Sequence, residues 1–496
     1  MAAAVLDEAR PARGAAPAPA AGPGARPWRR LAPYAHLAPL LAVIALLMAP
    51  ADASGGGTPA DAASGVLVLY CAVRLLRRRE RPLTAVGALV VGLPVTGIAL
   101  ACVTSADPAA SLPGVGRYLQ VFVLVPLAVL LVVRDRRDFA VAAWALVALA
   151  LGQGAVGVAQ FLTGTGASYM GQDIRAVGTF GPSDVMGMAT VVSYGLVVCV
   201  ALALGLGPGP AGVRTRQAAV VFGALLVVPL VLSFSRGAWI ATVAACLLQV
   251  VLSGGRRALR VLATVSALGV VLVLGFGVGS AMLKERVSSI TQVTGAPDRS
   301  VTDRYTMWAA AVEMWRAEPV TGVGLKGFPE YRDSNASLAL SAGSDTAGAG
   351  QGYKKQALLS PHNMYLLVLG EQGALGLVTL LGSWLALLAL GLRRLAGAAR
   401  TGGATWCGLL AVGLLARQLV DFAYADIGGP STVLTSVMFG LAAWWALAAD
   451  GGPRGGAIRA GADLPGPALV GAARGGADRA GALRGGGTEG GHGARG

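Results

Sequence analysis

Four cationic side chains of this 496-residue sequence, which is poor in charge, could bind an anion or transfer a proton. They are Arg175 in QDIRAVGTFGPSD, Arg236 in VLSFSRGAWIATV, Arg304 in VTDRYTMWAAAVEMWRAEP and His362 in SPHNMYLLVLGEQGALG. A guanidinium stays charged and can bind phosphate oxygens through two parallel hydrogen bonds. A neutral imidazole, with an unperturbed pKa of about 6.5, can accept a proton at physiological pH. These residue types predict a site for an anionic substrate, with the histidine as general base or as the group that positions an acceptor.

Each of these residues also has a purely structural interpretation. An isolated arginine at a membrane surface often anchors lipid phosphates, and a histidine before a helix often caps it or lies at the interface. Four cations on one face of a protein that is otherwise poor in charge favour a shared anionic substrate.

The composition predicts which elements position these residues. Charged residues make up 13% of the chain, whereas a soluble domain has about 25%, and 55% of the residues are hydrophobic, with a mean hydropathy of +0.64. So few charges cannot cover a water-facing surface, so a soluble globular protein is excluded. The same numbers exclude disorder for most of the chain, apart from the low-complexity tails at 1–33 and 450–496.

Apolar runs long enough to cross a bilayer recur along the chain and predict an all-α, polytopic membrane protein with twelve transmembrane helices. Helices 1–9 occupy 34–283 and helices 10–12 occupy 362–449. The connection at 284–361 is predicted to be one large loop that contains short helices. The predicted spans are 34–49, 60–76, 84–103, 118–133, 139–162, 184–206, 218–234, 238–253, 261–283, 362–391, 404–420 and 431–449.

The distribution of arginines predicts the orientation of these spans, because cytoplasmic loops retain positive charge. With a cytoplasmic N-terminus, the short inner loops contain sixteen arginines and the short outer loops only three, Arg117, Arg175 and Arg236. Both termini are then cytoplasmic in the cell (plasma or inner) membrane, and the large loop is extracytoplasmic. The net charge of +15 thus reflects topology and does not indicate nucleic-acid binding. A signal-peptidase-like site at Ala51-Asp52-Ala53 leaves open a cleavage that would remove residues 1–53 and the first span.

The sequence gives no indication of a metal centre or another cofactor. The five cysteines all fall inside apolar runs, the chain has only three histidines, and the large loop has no Asp-x-Asp motif. We therefore expect chemistry that needs no metal and no cofactor.

Within the large loop, Thr302-Asp303 predicts the N-terminus of a helix that ends at Glu318-Pro319, so that backbone N–H groups would lie near Arg304. Tyr305, Trp308, Val312 and Trp315 share one face of this helix. That face is expected either to lie in the membrane interface or to pack on the helix bundle.

The segments SFSRGAW, RYTMWAAAVEMWRAEPVTGVGLKGF and HNMYLLVLGEQGALG, in this order, resemble the superfamily of O-antigen ligases and O-antigen polymerases, which are polytopic membrane glycosyltransferases. The resemblance runs from about Arg175 to Asp421, roughly half the chain. Ile240 departs from the family pattern, which has a leucine four residues after the arginine before the large loop. The matching positions are Arg175 with Gly178 and Phe180, Arg236, Arg304 with Pro319, Gly322 and Gly324, and His362 with Gly373.

The family often has a polar or acidic pair near the outer end of the next-to-last span. Arg417 and Asp421 lie there, four residues apart on one helical face. A buried ion pair explains them equally well.

The resemblance implies transfer of a glycan from an undecaprenyl-pyrophosphate carrier to a hydroxyl acceptor on the extracytoplasmic face, in the biosynthesis of cell-surface polysaccharide. The acceptor would be a glycan, a lipid or a protein hydroxyl, and membrane lipid surrounds the enzyme. In this interpretation His362, Arg304 and Arg236 are catalytic, and Arg175, Arg236, Arg304 and Asp421 bind the substrate.

A transporter or flippase of lipid-linked oligosaccharide is the alternative from another class. Such a protein normally carries ionisable groups in mid-membrane and often has internal repeats. The centres of the predicted spans contain almost no ionisable groups and the sequence has no convincing repeat, so the enzyme interpretation is favoured.

Overall fold

The structure, a computed structural model, describes residues 32–50, 57–78, 83–105, 107–169, 172–207, 209–261, 299–337, 340–341, 343–348, 351–356 and 358–448. The predicted tails, the ninth predicted span and the first part of the predicted large loop lie outside these residues, except at their edges.

Helices account for most of the described chain, and each predicted span other than the ninth coincides with one. This confirms the prediction of a helical membrane protein. The helices are α1 (Ala38–Leu46, after a 3-10 turn at Ala32–Leu37), α2 (Pro59–Arg78), α3 (Ala85–Val103), α4 (Pro108–Val132), α5 (Arg136–Thr163), α6 (Gly187–Gly205), α7 (Pro210–Leu232), α8 (Arg236–Leu252), α9 (Arg299–Ala317), α10 (Phe328–Asn335), α11 (Met364–Arg400), α12 (Trp406–Asp421) and α13 (Thr432–Leu447).

Seven of the described helices, α2 to α7 and α11, are long and apolar enough to cross a membrane by length and composition. The N-terminal helix at 33–46, α8 and α13 are apolar but shorter. The number of twelve spans therefore stays a prediction.

The core of the bundle surrounds α6, which packs against α5, α7, α8 and α12. Most side chains of α6 are buried, as expected for a helix that is apolar on every face. Small residues allow the helices to approach closely, since a Cβ added at Gly195 would overlap Ala150. By contrast, α2, α3 and α7 carry exposed aliphatic side chains that suit contact with lipid, among them Val66, Leu69, Val86, Leu89, Val220, Val221 and Leu225.

A small antiparallel sheet departs from the all-α expectation. Its strands are β1 (Ala167–Tyr169), β2 (Gln172–Arg175), β3 (Ser344–Gly348) and β4 (Gln351–Gln356), in the order β2-β1-β3-β4. Ala167 pairs with Arg175 within the first hairpin and with Gly348 across to the second. The strands are three to six residues long and mostly polar or small. They therefore lack the alternation of apolar and polar residues that reveals a strand in a sequence.

We call one end of the bundle the site end. There the α5–α6 connection, the large loop and the α12–α13 connection meet. The Ser431 N–H donates to Asp184 (2.9 Å) and so joins the first and the last of these segments, and Arg117 of α4 donates to the Gly429 carbonyl (3.4 Å). The described arginines that were counted for the inner loops lie at the opposite helix ends, and several cap them, as Arg216 does at the Leu206 carbonyl.

The helix α11 is broken at Gly373, where φ is +65° and ψ is −169°. The loop after α9 fills the break and hydrogen-bonds to the freed backbone groups, and Gly322, Gly324 and Gly373 all adopt a positive φ there. The bonds are Ala374 N to Pro319 O (2.9 Å), Leu375 N to Val320 O (3.2 Å), Val323 N to Gly370 O (3.0 Å) and Gly324 N to Glu371 O (3.0 Å).

Substitution of Gly373 by alanine is expected to destabilise the protein and lower its Tm in detergent. The backbone conformation alone costs a side chain about 1–3 kcal/mol, and the new Cβ would overlap the Val320 carbonyl. Gly382→Ala is the matched control in the same helix, because its Cβ would meet only Leu93 Cδ2 at 3.6 Å. Equal thermal stability of the two variants would contradict this account of the break.

Candidate functional site at one end of the bundle

His362 lies in the turn before α11, which is hydrogen-bonded to the connection between α12 and α13. The Met364 N–H donates to the Phe422 carbonyl (2.8 Å), and the Asn363 side chain donates to the Ala423 carbonyl (3.2 Å). These bonds fix His362 relative to the 422–426 segment.

The imidazole of His362 faces a carboxylate. Its Nδ1 lies 3.7 Å from Asp426 Oδ2, and the His362 side chain keeps 46% of its surface exposed whereas that of Asp426 keeps 8%. Asp426 is held in place by the Ser360 hydroxyl and by the Gly428 N–H at 3.0 Å. His362 has a φ of +49°, a conformation uncommon outside glycine that persists only when the surroundings enforce it. The geometry suits a histidine oriented by an aspartate, with Nε2 on the opposite side of the ring.

Arg236 is the first residue of α8, directly after the sharp turn that follows α7. Ser235 caps the helix and Phe234 has a φ of +50°. A Cβ added at Gly237 would lie 3.1 Å from the Tyr424 Cβ, so the start of α8 lies against the 422–426 segment. This segment thus contacts the turn that carries His362 and the helix end that carries Arg236.

Arg175 ends β2 and lies beside the same turn between α7 and α8. Its Nε donates to the Ser233 carbonyl (2.9 Å), and the Ala176 N–H donates to the Leu232 carbonyl (3.2 Å). Since Ser233 is three residues before Arg236, these bonds bring the two arginines into one region.

Two glutamines of α5 hold the backbone that follows Arg175. Gln160 Oε1 accepts the N–H groups of Val177 (3.1 Å) and Gly178 (2.9 Å), and its Nε2 donates to the Gly178 carbonyl (2.9 Å). Gln153, two turns earlier, accepts the Thr179 N–H (3.0 Å). Gly178 has a φ of +64° and a Cβ there would overlap Gln153 Oε1. The absence of a side chain at Gly178 therefore allows this segment to contact α5 closely.

Arg304 lies within α9 and not at its N-terminus, so the prediction that Thr302-Asp303 caps this helix is wrong. The helix includes Arg299, and the Asp303 carboxylate accepts the Ser341 N–H (2.8 Å) and hydroxyl (2.6 Å) instead of capping α9. Free backbone N–H groups therefore do not assist Arg304. Trp308, one turn further along α9, donates to the Pro361 carbonyl (2.9 Å), which orients this face of α9 towards the His362 turn.

The predicted aromatic face of α9 packs only in part. Met307, Ala310, Ala311 and Met314 form the buried face, whereas Tyr305 is 52% exposed. The aromatic side chains flank this buried face at the edge of the contact with α11.

The charges of these residues act on one another. Burial lowers the pKa of the Arg304 guanidinium, the charge of Arg236 lowers it further, and Asp426 acts in the opposite direction. Burial and the charge of Arg304 lower the pKa of Arg175 to about 10, so both guanidiniums stay protonated at neutral pH. Crowded cations in a partly desolvated site are relieved by a bound anion.

His362 responds to the same surroundings. Desolvation lowers the pKa of its imidazole, Asp426 raises it, and Arg304 lowers it again, with desolvation the largest effect. A lowered pKa keeps the imidazole neutral, and so able to accept a proton, at physiological pH.

Asp421 forms a buried ion pair with Arg417, which is one of the two interpretations that the sequence allowed. Both of its carboxylate oxygens accept hydrogen bonds from Arg417 at 3.1 Å, and the Arg417 side chain is fully buried against the ring of Tyr194. A role for Asp421 in substrate binding stays a prediction.

The structure thus brings together the four predicted cations, and it adds Asp426, Gln153 and Gln160, which the sequence analysis missed. Asp426 could have been found as a second acidic residue in the short DFAYADIGG connection of a chain with few charges. The two glutamines have no such signal, since they lie inside the apolar run of α5.

The helices and this site define a multi-pass membrane protein with a cationic site at one end of its bundle. Residues 221–381 match the family model described as O-antigen ligase. This segment contains Arg236, Arg304 and His362, and the match supports the resemblance to the O-antigen ligase superfamily, whose members are ligase or glycosyltransferase-type enzymes. It covers about a third of the chain. No curated protein matches the sequence.

Proposed function

We propose that the protein transfers a glycan from an undecaprenyl-pyrophosphate carrier to a hydroxyl acceptor, with the site end on the extracytoplasmic face of the cell membrane. The observation that carries this proposal is the convergence of Arg175, Arg236 and Arg304 beside the His362–Asp426 pair. The excess of arginine at the opposite helix ends supports this orientation.

The leaving group of such a transfer is a lipid pyrophosphate, whose negative charge increases as the bond to the sugar breaks. Arg236 and Arg304 bind and stabilise this developing charge, and Arg175 supports them. Three guanidiniums already supply the positive charge that the leaving group requires, so we propose a reaction that needs no metal.

His362 acts on the acceptor. Its neutral imidazole takes the proton of the acceptor hydroxyl as the acceptor oxygen bonds to the anomeric carbon. The bond between that carbon and the pyrophosphate oxygen breaks in the same reaction, and the lipid pyrophosphate departs to the arginines. Asp426 orients the ring and stabilises the imidazolium that forms.

The proposal is tested by incubating the purified protein with a lipid-linked repeat unit, with and without a separate glycan, lipid or protein acceptor. Longer lipid-linked chains indicate a polymerase, and transfer to the separate acceptor indicates a ligase. Unchanged donor under all conditions would overturn the enzyme proposal and favour the transporter alternative.

The transfer rate is expected to depend on the protonation of His362. Since the pKa of His362 is lowered, kcat/KM should fall only as the pH drops below about 6.5. Asp426→Asn removes an effect that raises this pKa and should move the acid limb to a still lower pH. With only three histidines in the chain, NMR titration of isotope-labelled histidine measures the pKa directly. An upward shift in Asp426→Asn would contradict the proposed pairing, and Arg316→Ala serves as the control.

A further inference from the structure

The loop after α9 runs along α11, away from the N-terminus of that helix, and then turns back towards it. Pro319 and Val320 bond to Ala374 and Leu375, beyond the break in α11, whereas the later residues of the loop return to Gly370 and Glu371. The Gly322 N–H donates to the Glu318 carbonyl at 3.0 Å and closes the turn. We call Glu318–Gly322 the tip.

The tip exposes the carboxylate side chain of Glu318 at its start and the apolar side chain of Val320 where it lies deepest along α11. Val320 is 62% exposed, and beside it α11 presents Leu375, 37% exposed, and Val378, 66% exposed. Trp315, one turn before the end of α9, is partly exposed, and its indole N–H donates to the Pro319 carbonyl (3.1 Å). An exposed valine, next to a tryptophan whose N–H is already hydrogen-bonded, is typical of a surface at the boundary between lipid and water.

The length of α11 places the tip relative to the bilayer. From Leu375 to Arg393, which is exposed at the other end of α11, the helix rises about 27 Å, close to the roughly 30 Å of the hydrocarbon core. With Arg393 at one boundary of the core, Leu375 and the neighbouring Val320 lie close to the other. The exposed aliphatic face of α11 therefore continues onto the tip.

We propose that the tip inserts into the lipid bilayer, among the headgroups and the upper acyl chains, and anchors α9 and α10 to the membrane surface. Its partner is the lipid leaflet at the site end, and the proposal does not depend on which reaction the site catalyses. The anchor fixes the height of Arg304 above the bilayer, because the same helix carries both Arg304 and Trp315.

Photolabelling of the intact protein in phosphatidylcholine bilayers that contain a diazirine on the lipid acyl chain tests this proposal. Trypsin cleavage after Arg316 and Lys326 releases the peptide 317–326, which contains the whole tip, and the next peptide, 327–332, contains the start of α10. Lipid adducts are expected on 317–326 and not on 327–332. Adducts on the membrane helices together with an unlabelled 317–326 would overturn the proposal.

Spin labelling provides a second measurement. Val320→Cys and the control Glu330→Cys are prepared in a chain whose native cysteines are replaced, and each is labelled with a nitroxide. At position 320 collisions with oxygen should exceed those with a water-soluble nickel complex, and at 330 the order should be reversed. Water-like accessibility at both positions would refute the anchor.

Discussion

Arg304→Ala is expected to lower the rate of glycan transfer about 10²- to 10³-fold, the usual cost of removing one group that stabilises developing negative charge. Arg304 is partly desolvated, its charge acts on both Arg175 and His362, and α9 is held beside the His362 turn by the Trp308–Pro361 bond. The rate at which the reconstituted enzyme consumes a lipid-linked donor measures this effect.

Two further variants separate charge from structure. Arg304→Lys keeps the charge but loses the two parallel hydrogen bonds, so its rate should fall between those of the wild type and Arg304→Ala. Arg316→Ala lies on the same helix, where Arg316 is exposed and pairs with Glu313, and it should leave the rate unchanged. Normal transfer by a folded Arg304→Ala would remove Arg304 from the proposed site.

Replacement of His362 should also abolish most activity. Both His362→Ala and His362→Gln lack the base, and loss of a general base typically reduces the rate about 10²- to 10⁴-fold. Glutamine can still hydrogen-bond to an acceptor hydroxyl, so any advantage of His362→Gln over His362→Ala measures positioning alone. The rate under saturating donor is the relevant quantity, because donor binding depends on the arginines.

The control for His362 is donor binding by the same variants. Both His362 variants should bind the lipid-linked donor as tightly as the wild type, whereas Arg304→Ala should bind it more weakly. If His362→Gln retained the full rate of transfer, His362 would not be the base.

The positions of the helices could be predicted from the sequence, because a helix that crosses a bilayer needs an apolar run of about 20 residues. The four cations could also be chosen as candidates from the sequence, since an arginine such as Arg236 is conspicuous between apolar segments, and their roles stay a prediction. Both features are local in the sequence, so neither required knowledge of the tertiary contacts.

Contacts between distant segments could not be predicted in this way. Gln160 bonds to Gly178, 18 residues further along the chain, and Asp426 lies beside His362 although 64 residues separate them in sequence. The prediction of a helix cap at Thr302-Asp303 was wrong for the same reason, because the Asp303 carboxylate accepts a hydrogen bond from Ser341 and not from the backbone of α9.

The four-stranded sheet connects the chain segments that carry two of the arginines. Arg304 follows Asp303, which holds Ser341 just before β3; β3 pairs with β1, and β1 pairs with the strand that ends at Arg175. Side-chain and backbone hydrogen bonds thus connect the two arginine-bearing segments through the sheet. We therefore expect a distortion of the sheet to shift Arg175 and Arg304 relative to each other and to weaken binding of the proposed pyrophosphate donor.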